Sequence, residues 1–195
     1  MILGLSGKYC AGKSTVAAYL RDNAWFHIDV DKVGHEVLQE QSEAVSQAFG
    51  QEIRLQDGTI DRKALGALVF ADGGKRKRLE AIVHPAMVER VAEMAAAAAP
   101  DANGDQKVVV DAALLFYMGL HRMCDRILFI EAPSLIRYFR GRSRDGISWK
   151  EFRQRNRSQM HIVSQAKSEG ADIHSVSNWL CRQALFRSVD AVVQP

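Results

Sequence analysis

Apolar residues run together at positions 1–5, and from 15–20 they recur at helical spacing. The first pattern predicts a buried strand and the second an amphipathic helix. A polar, glycine-bearing segment separates them. Trp25-Phe26-His27-Ile28 predicts a short second strand ending at Asp29-Val30-Asp31. No strand pattern follows for a long stretch. Val33, Val37, Val45 and Phe49 instead recur at spacings that fit a helical face. Asp57-Gly58 marks a turn. Asp61 is placed to cap a helix containing Leu65, Leu68, Val69 and Phe70, which Asp72-Gly73-Gly74 breaks. Leu79, Ile82 and Val83 lead to His84-Pro85. A further helix is expected from there into the alanines at 95–99, stopping before Pro100. Residues from about 32–99 therefore read as an α-helical insertion.

Beyond it, residues 107–112 (KVVVDA) and 126–130 (RILFI) are built on unbroken apolar stretches, Val108–Val110 and Ile127–Ile130, the pattern of strands buried on both faces of a parallel sheet. Residues 101–105 read as a loop. Ser148-Trp149-Lys150-Glu151 is a capping box opening a long helix toward Lys167. A last strand is expected at 173–176 and a closing helix at 179–188. Strands alternating with helices imply an α/β fold with a doubly wound parallel sheet, whose ligands bind at the carboxyl ends of the strands.

The polar segment after the first strand sharpens this picture. Gly7-Lys8-Tyr9-Cys10-Ala11-Gly12-Lys13-Ser14 matches G-x-x-x-x-G-K-[ST], the phosphate-binding P-loop, in the strand–loop–helix context it requires. Glycines let the backbone form a nest of N–H groups at the positive end of a helix. Gly7, Cys10, Ala11, Gly12, Lys13, Ser14 and Thr15 are the expected nucleotide contacts. Lys13 adds a full charge for the β- and γ-phosphates, and Ser14 offers its hydroxyl to Mg²⁺. Asp111, closing the third strand, is placed to hold Mg²⁺ through water. No nucleophilic role is expected for Cys10.

Asp29 and Asp31 end the second strand at the same sheet edge. Asp31 is the candidate base for an acceptor hydroxyl, against the plainer reading of a helix cap. Arg137, Arg140, Arg142 and Arg144 crowd eight residues, with Arg153, Arg155 and Arg157 beyond. An arginine-bearing lid over about 137–167 fits this crowding, because planar guanidinium forks grip phosphate oxygens with two bonds. A solvated helix face is the alternative. Arg140 is the candidate catalytic charge, and Arg137 and Arg142 are candidate nucleotide contacts. His35 and His84 are weaker signals, taken with Asp29 as candidate substrate-binding residues.

Composition narrows the classes further. The 195 residues are 47% hydrophobic and carry a net charge of +3, enough for one elaborated domain and too mild to point to nucleic acid. The charge suits small polyanions such as nucleotides. Cys10, Cys124 and Cys181 form no Cys-x-x-Cys pair, so reduced thiols in a cytoplasmic protein are expected rather than zinc or disulfides. No stretch approaches the roughly 20 apolar residues that cross a bilayer, and no cleavable signal is expected. A monomer or small homo-oligomer is expected.

The sequence resembles the dephospho-coenzyme A kinases over nearly its whole length. The resemblance rests on the Gly7–Ser14 loop with Thr15-Val16-Ala17, on Ile28-Asp29-Val30-Asp31, and on His35-Glu36-Val37-Leu38. It continues through Phe49-Gly50, Asp57-Gly58, Asp61-Arg62, Leu65, Val69-Phe70, Leu79-Glu80 and His84-Pro85. Leu114-Leu115-Phe116, Asp125, Arg137, Gln159, Lys167 and Ala171-Asp172 complete it. The resemblance implies a nucleotide-binding α/β core, a helical CoA domain and a lid. It implies transfer of a phosphoryl group from ATP, with Mg²⁺, to the ribose 3′-hydroxyl of dephospho-CoA, with Asp31 as base.

The chain departs from that pattern at Lys8, where the family usually has glycine, and at Ala113 and Tyr117, which replace a proline and an acid. Ser177 stands where the family has an asparagine, with Asn178 one position later. Another small-molecule P-loop kinase, or a nucleotide-binding pseudoenzyme that regulates a partner, are the competing readings.

Overall fold

The computed structural model describes residues 1–98, 100, 104–157, 170–179 and 181–194. β1 (Ile2–Gly7) is the middle strand of a five-stranded parallel sheet and is buried from Leu3 onward. Its neighbours are β3 (Val108–Asp111) and β4 (Arg126–Glu131), with Leu5 in register with both Asp111 and Leu128. β2 (Phe26–Asp29) lies outside β3, and β5 (Ile173–Ser177) outside β4. The chain therefore starts mid-sheet, moves to one edge, then crosses to the other. This is the doubly wound order expected from the alternating pattern, and it puts a ligand crevice at the carboxyl end of β1.

The apolar runs explain the sheet. All four residues of β3 are buried, as they must be in a strand covered on both faces. Leu3, Leu5, Val109, Leu128 and Ile130 pack with Val16 and Leu20 of α1 (Lys13–Asp22) and with Leu185 and Val189 of α8 (Arg182–Val193). Asp125 pins the amino end of β1: its carboxylate accepts from Ile2 N at 2.6 Å, and its own N–H donates to Ile2 O at 2.8 Å.

The chain divides into two compact units, Met1–Ile28 with Ala97–Pro195, and Asp29–Ala96. The first holds the sheet, α1, α8, and two helices between β4 and β5: α6 (Ser134–Asp145) and α7 (Trp149–Arg157). The capping box forms, with Ser148 Oγ donating to Glu151 at 2.7 Å and Glu151 N donating back to Ser148 Oγ at 3.3 Å. The expected course of this helix beyond residue 157, with Gln159, Lys167 and the far part of the 137–167 lid, lies outside the described residues. So do residues 101–103 of the loop expected at 101–105.

The second unit holds α2 (Val30–Glu40), α3 (Ser42–Phe49), α4 (Arg62–Ala71) and most of α5 (Gly73–Ala97). Asp61 caps α4, accepting from Lys63 N at 2.8 Å and Ala64 N at 3.1 Å. Gly58, at φ 83°, turns the chain between Arg54 and Ile60, which form an antiparallel bridge.

One expectation fails here. His84-Pro85 does not start a helix; α5 runs unbroken through Pro85. It starts at Gly73, well before His84, where Asp72 accepts from Gly74 N at 2.7 Å and Lys75 N at 3.2 Å. An interior proline costs about 3 kcal/mol. Burial of Val83, Met87 and Val91 on one face of α5, at roughly 1.5–3 kcal/mol each, outweighs that cost.

Candidate active site

The site in the first unit is built on the turn from β1 into α1. Gly7 closes β1, and a Cβ there would stand 2.6 Å from Ile130 O, so only glycine lets the strand pass. Gly12 takes φ 102° and caps α1 with no side-chain hydrogen bond and no acidic residue in the first turn. Among the described residues, the N–H groups of Gly12, Lys13 and Ser14 donate to no backbone carbonyl. Three unspent donors at the positive end of a helix form an anion cradle. Ser14 is exposed, so its hydroxyl is open to a ligand.

Lys13 donates to Asp111 Oδ1 at the end of β3. His27, on the neighbouring strand β2, donates from Nε2 to Asp111 Oδ2 at 3.2 Å. The Asp111 side chain is only 10% exposed, so both of its oxygens are committed in a partly desolvated place. His27 was not legible as a site residue. Only the pairing of β2 beside β3 sets it against a residue 84 positions away.

The opposite side of the loop is braced by its carbonyls. Ala11 O accepts from Asn178 Nδ2 at 2.8 Å and from Arg140 Nη1 at 3.4 Å. Arg140 Nη2 donates also to Asn178 O at 3.2 Å, and Asn178 N to Glu131 O at 2.7 Å. Asn178 thus meets the loop, while Ser177, which stands at the position where the resemblance implies an asparagine, ends β5 exposed. Lys8, the other departure at the loop, pairs with Glu131.

Arg137 lies beneath the loop rather than at its mouth. It is 2% exposed. Nε donates to Ala132 O at 2.9 Å, Nη1 to Tyr9 O at 3.3 Å, and Nη2 to Asn156 Oδ1 at 2.9 Å. Its guanidinium lies 5.3 Å from the centre of the Phe152 ring. Burial pulls its pKa below the ordinary arginine value, and Glu131 works against that pull. Arg142 is exposed, and Arg144 pairs with Asp145.

In the second unit, Asp29 rather than Asp31 caps α2, accepting from Lys32 N at 3.3 Å. Asp31 sits exposed in the first turn of α2 and, among the described residues, makes no hydrogen bond or ion pair. His35 Nε2 accepts from Arg62 Nη2 at 2.7 Å. Half-buried His84 has its pKa lowered by desolvation, with Glu80 opposing.

Among the described residues, no three His, Cys, Asp or Glu side chains gather into a metal-holding group. A carboxylate and a hydroxyl beside a phosphate cradle suit Mg²⁺, which takes few protein ligands and is completed by water and phosphate oxygens.

The family model for dephospho-CoA kinase matches residues 1–178. The chain belongs to the dephospho-CoA kinase family. A dephospho-CoA kinase of Shouchella clausii is 35% identical over 176 residues, covering 89% of this chain and 87% of its own. The crystal structure of TT1252 from Thermus thermophilus aligns with a TM-score of 0.79 at 31% identity, covering 99% of this chain and 96% of that one. The dephospho-CoA kinase from Campylobacter jejuni, at 23% identity, shares the fold with a TM-score of 0.65 over 100% of this chain and 98% of its own. Membership of the dephospho-CoA kinase family makes the chain a transferase of the kinase class. Phosphorylation of dephospho-CoA is the last step of CoA biosynthesis.

Proposed function

We propose that this chain transfers the γ-phosphoryl group of ATP to the ribose 3′-hydroxyl of dephospho-CoA. The observation that carries this reading is the Lys13–Asp111 pair beside the uncapped amino end of α1. Lys13 and the N–H groups of the loop bind the β- and γ-phosphates. Gly7, Cys10, Ala11, Gly12 and Thr15 complete the nucleotide contacts. Ser14 and Asp111 would hold Mg²⁺, Asp111 through water, and the ion would supply neutralisation of phosphate charge. Asp31 takes the proton of the acceptor hydroxyl. Its exposed carboxylate is free of the capping duty that Asp29 performs. Asp29 at the end of β2, with His35 and His84 on the helical insertion over about 32–99, bind the acceptor. Arg140 and Arg142 supply charge to the transferring group from a lid over about 137–167, while Arg137 holds the loop in shape. The enzyme works in the cytoplasm as a monomer or small homo-oligomer.

The test is formation of CoA from dephospho-CoA and ATP, with adenosine and other nucleoside-like alcohols as competing acceptors. Turnover restricted to dephospho-CoA supports the reading. Preferential turnover of another alcohol means a different P-loop kinase, and nucleotide binding without turnover means a pseudoenzyme.

A further inference from the structure

Tyr9 belongs to the phosphate loop, yet both its side chain and its carbonyl are held by α6. The hydroxyl donates to Asp145 in the last turn of α6. The Arg144 guanidinium covers the ring at 5.5 Å from its centre. Gly141 gives the ring room: a Cβ there would stand 3.0 Å from Tyr9 Cε1 and 3.4 Å from Cys10 Sγ. Burial and Asp145 push the tyrosine pKa up to about 12, so the hydroxyl remains a donor throughout the neutral range. The Tyr9 carbonyl accepts from Arg137 at 3.3 Å. With the carbonyl side tied down in this way, the N–H side of the loop is left for phosphate.

The placement of Asp145 gives the bond its meaning. Asp145 is the last residue of α6, Gly146 caps the helix at φ 67°, and the last two turns carry Arg140, Arg142 and Arg144. The Tyr9–Asp145 bond therefore joins the side chain of the phosphate loop to the turn that carries these charges, beside the bonds that Arg137 and Arg140 make to loop carbonyls.

We propose that Tyr9 is a positioning residue for nucleotide: its bond to Asp145 fixes the phosphate loop against the last turn of α6. The inference rests on the nucleotide reading of this loop, and it makes nucleotide binding, but not acceptor binding, depend on the bond.

Equilibrium binding of a non-hydrolysable ATP analogue, and separately of dephospho-CoA, tests it on the full chain. Tyr9→Phe keeps the ring and removes the hydroxyl with its hydrogen bonds, so the cycle with Asp145 isolates the bond in question. The substitution is expected to raise the analogue Kd by about fivefold to tenfold, the loss expected for one typical intramolecular hydrogen bond. The Kd for dephospho-CoA and the thermal midpoint stay at wild-type values. Asp145→Ala gives the same rise, the double variant gives no further rise, and Asp145→Asn, which keeps an acceptor oxygen, largely restores binding. Unchanged analogue affinity in Tyr9→Phe overturns the inference, as does full additivity of the two losses. So does an equal weakening of both ligands with a lowered thermal midpoint, the sign of a merely structural bond. Wild-type protein that binds the analogue but does not phosphorylate dephospho-CoA contradicts the proposed reaction and leaves this measurement readable. Wild-type protein that binds no nucleotide overturns both.

Discussion

Lys13 and His27 share one carboxylate: the lysine donates to Asp111 Oδ1 and the histidine to Asp111 Oδ2. These groups come from three separate elements, α1, β3 and β2, and meet at the carboxyl edge of the sheet. Lys13→Ala removes the charge aimed at phosphate and strips Asp111 of a partner. We expect kcat/KM to fall by about 10²–10³-fold or more, with cooperative thermal unfolding retained because Lys13 lies outside the apolar core. Wild-type turnover by the folded variant would separate this loop from the reaction.

Asp31→Asn is expected to lower kcat by about 10²–10⁴-fold and to leave ATP affinity unchanged, the pattern of a lost general base. Because Asp29 is the cap of α2, the stability cost should fall on Asp29→Ala instead, at about 1 kcal/mol. Parallel kinetics and urea melts of the two variants check this. If Asp31→Asn unfolds early and keeps its kcat, the two aspartates have been assigned the wrong way round.

The contrast between these two aspartates shows what is legible from residue order alone. Spacing places both at the end of β2 but does not say which one turns back to the helix; that depends on the backbone angles of Asp29, φ −86° and ψ 98°. Local signals read well. The continuous valines of β3 read as a strand buried on both faces. Asp61 and the Ser148–Glu151 box read as caps because each bonds within three residues of itself. Long-range signals do not read. Asn178 meets Ala11 across 167 positions, and no periodicity encodes that meeting. A buried arginine such as Arg137 looks the same in a string of letters as a lid arginine. Pro85 misleads because the rule against interior proline is local, while burial along α5 is not.

Arg137 bears on stability as well as on the loop. Arg137→Ala leaves Ala132 O, Tyr9 O and Asn156 Oδ1 without this donor and opens a void beside Phe152. We expect a loss of about 2–4 kcal/mol in urea unfolding. Arg137→Lys should recover little of it, since an ammonium cannot reproduce the planar fork. A change under about 0.5 kcal/mol, the range of an ordinary surface substitution, would return Arg137 to the ligand side of the loop.

The lid reading makes a separate demand on α6 and α7. Hydrogen exchange over residues 137–157 should slow when an ATP analogue and dephospho-CoA are both bound, as closure excludes water from the arginines. Equal protection with and without ligands would leave a solvated basic helix in its place.

The most direct test of the central claim is a mass-resolved assay of the wild-type protein with ATP, Mg²⁺ and dephospho-CoA. The account predicts CoA, formed by phosphorylation of the ribose 3′-hydroxyl of dephospho-CoA, in equal amount to the ADP released, with turnover lost in Lys13→Ala. ADP release without CoA, or a phosphorylated product only from a different alcohol, would contradict it.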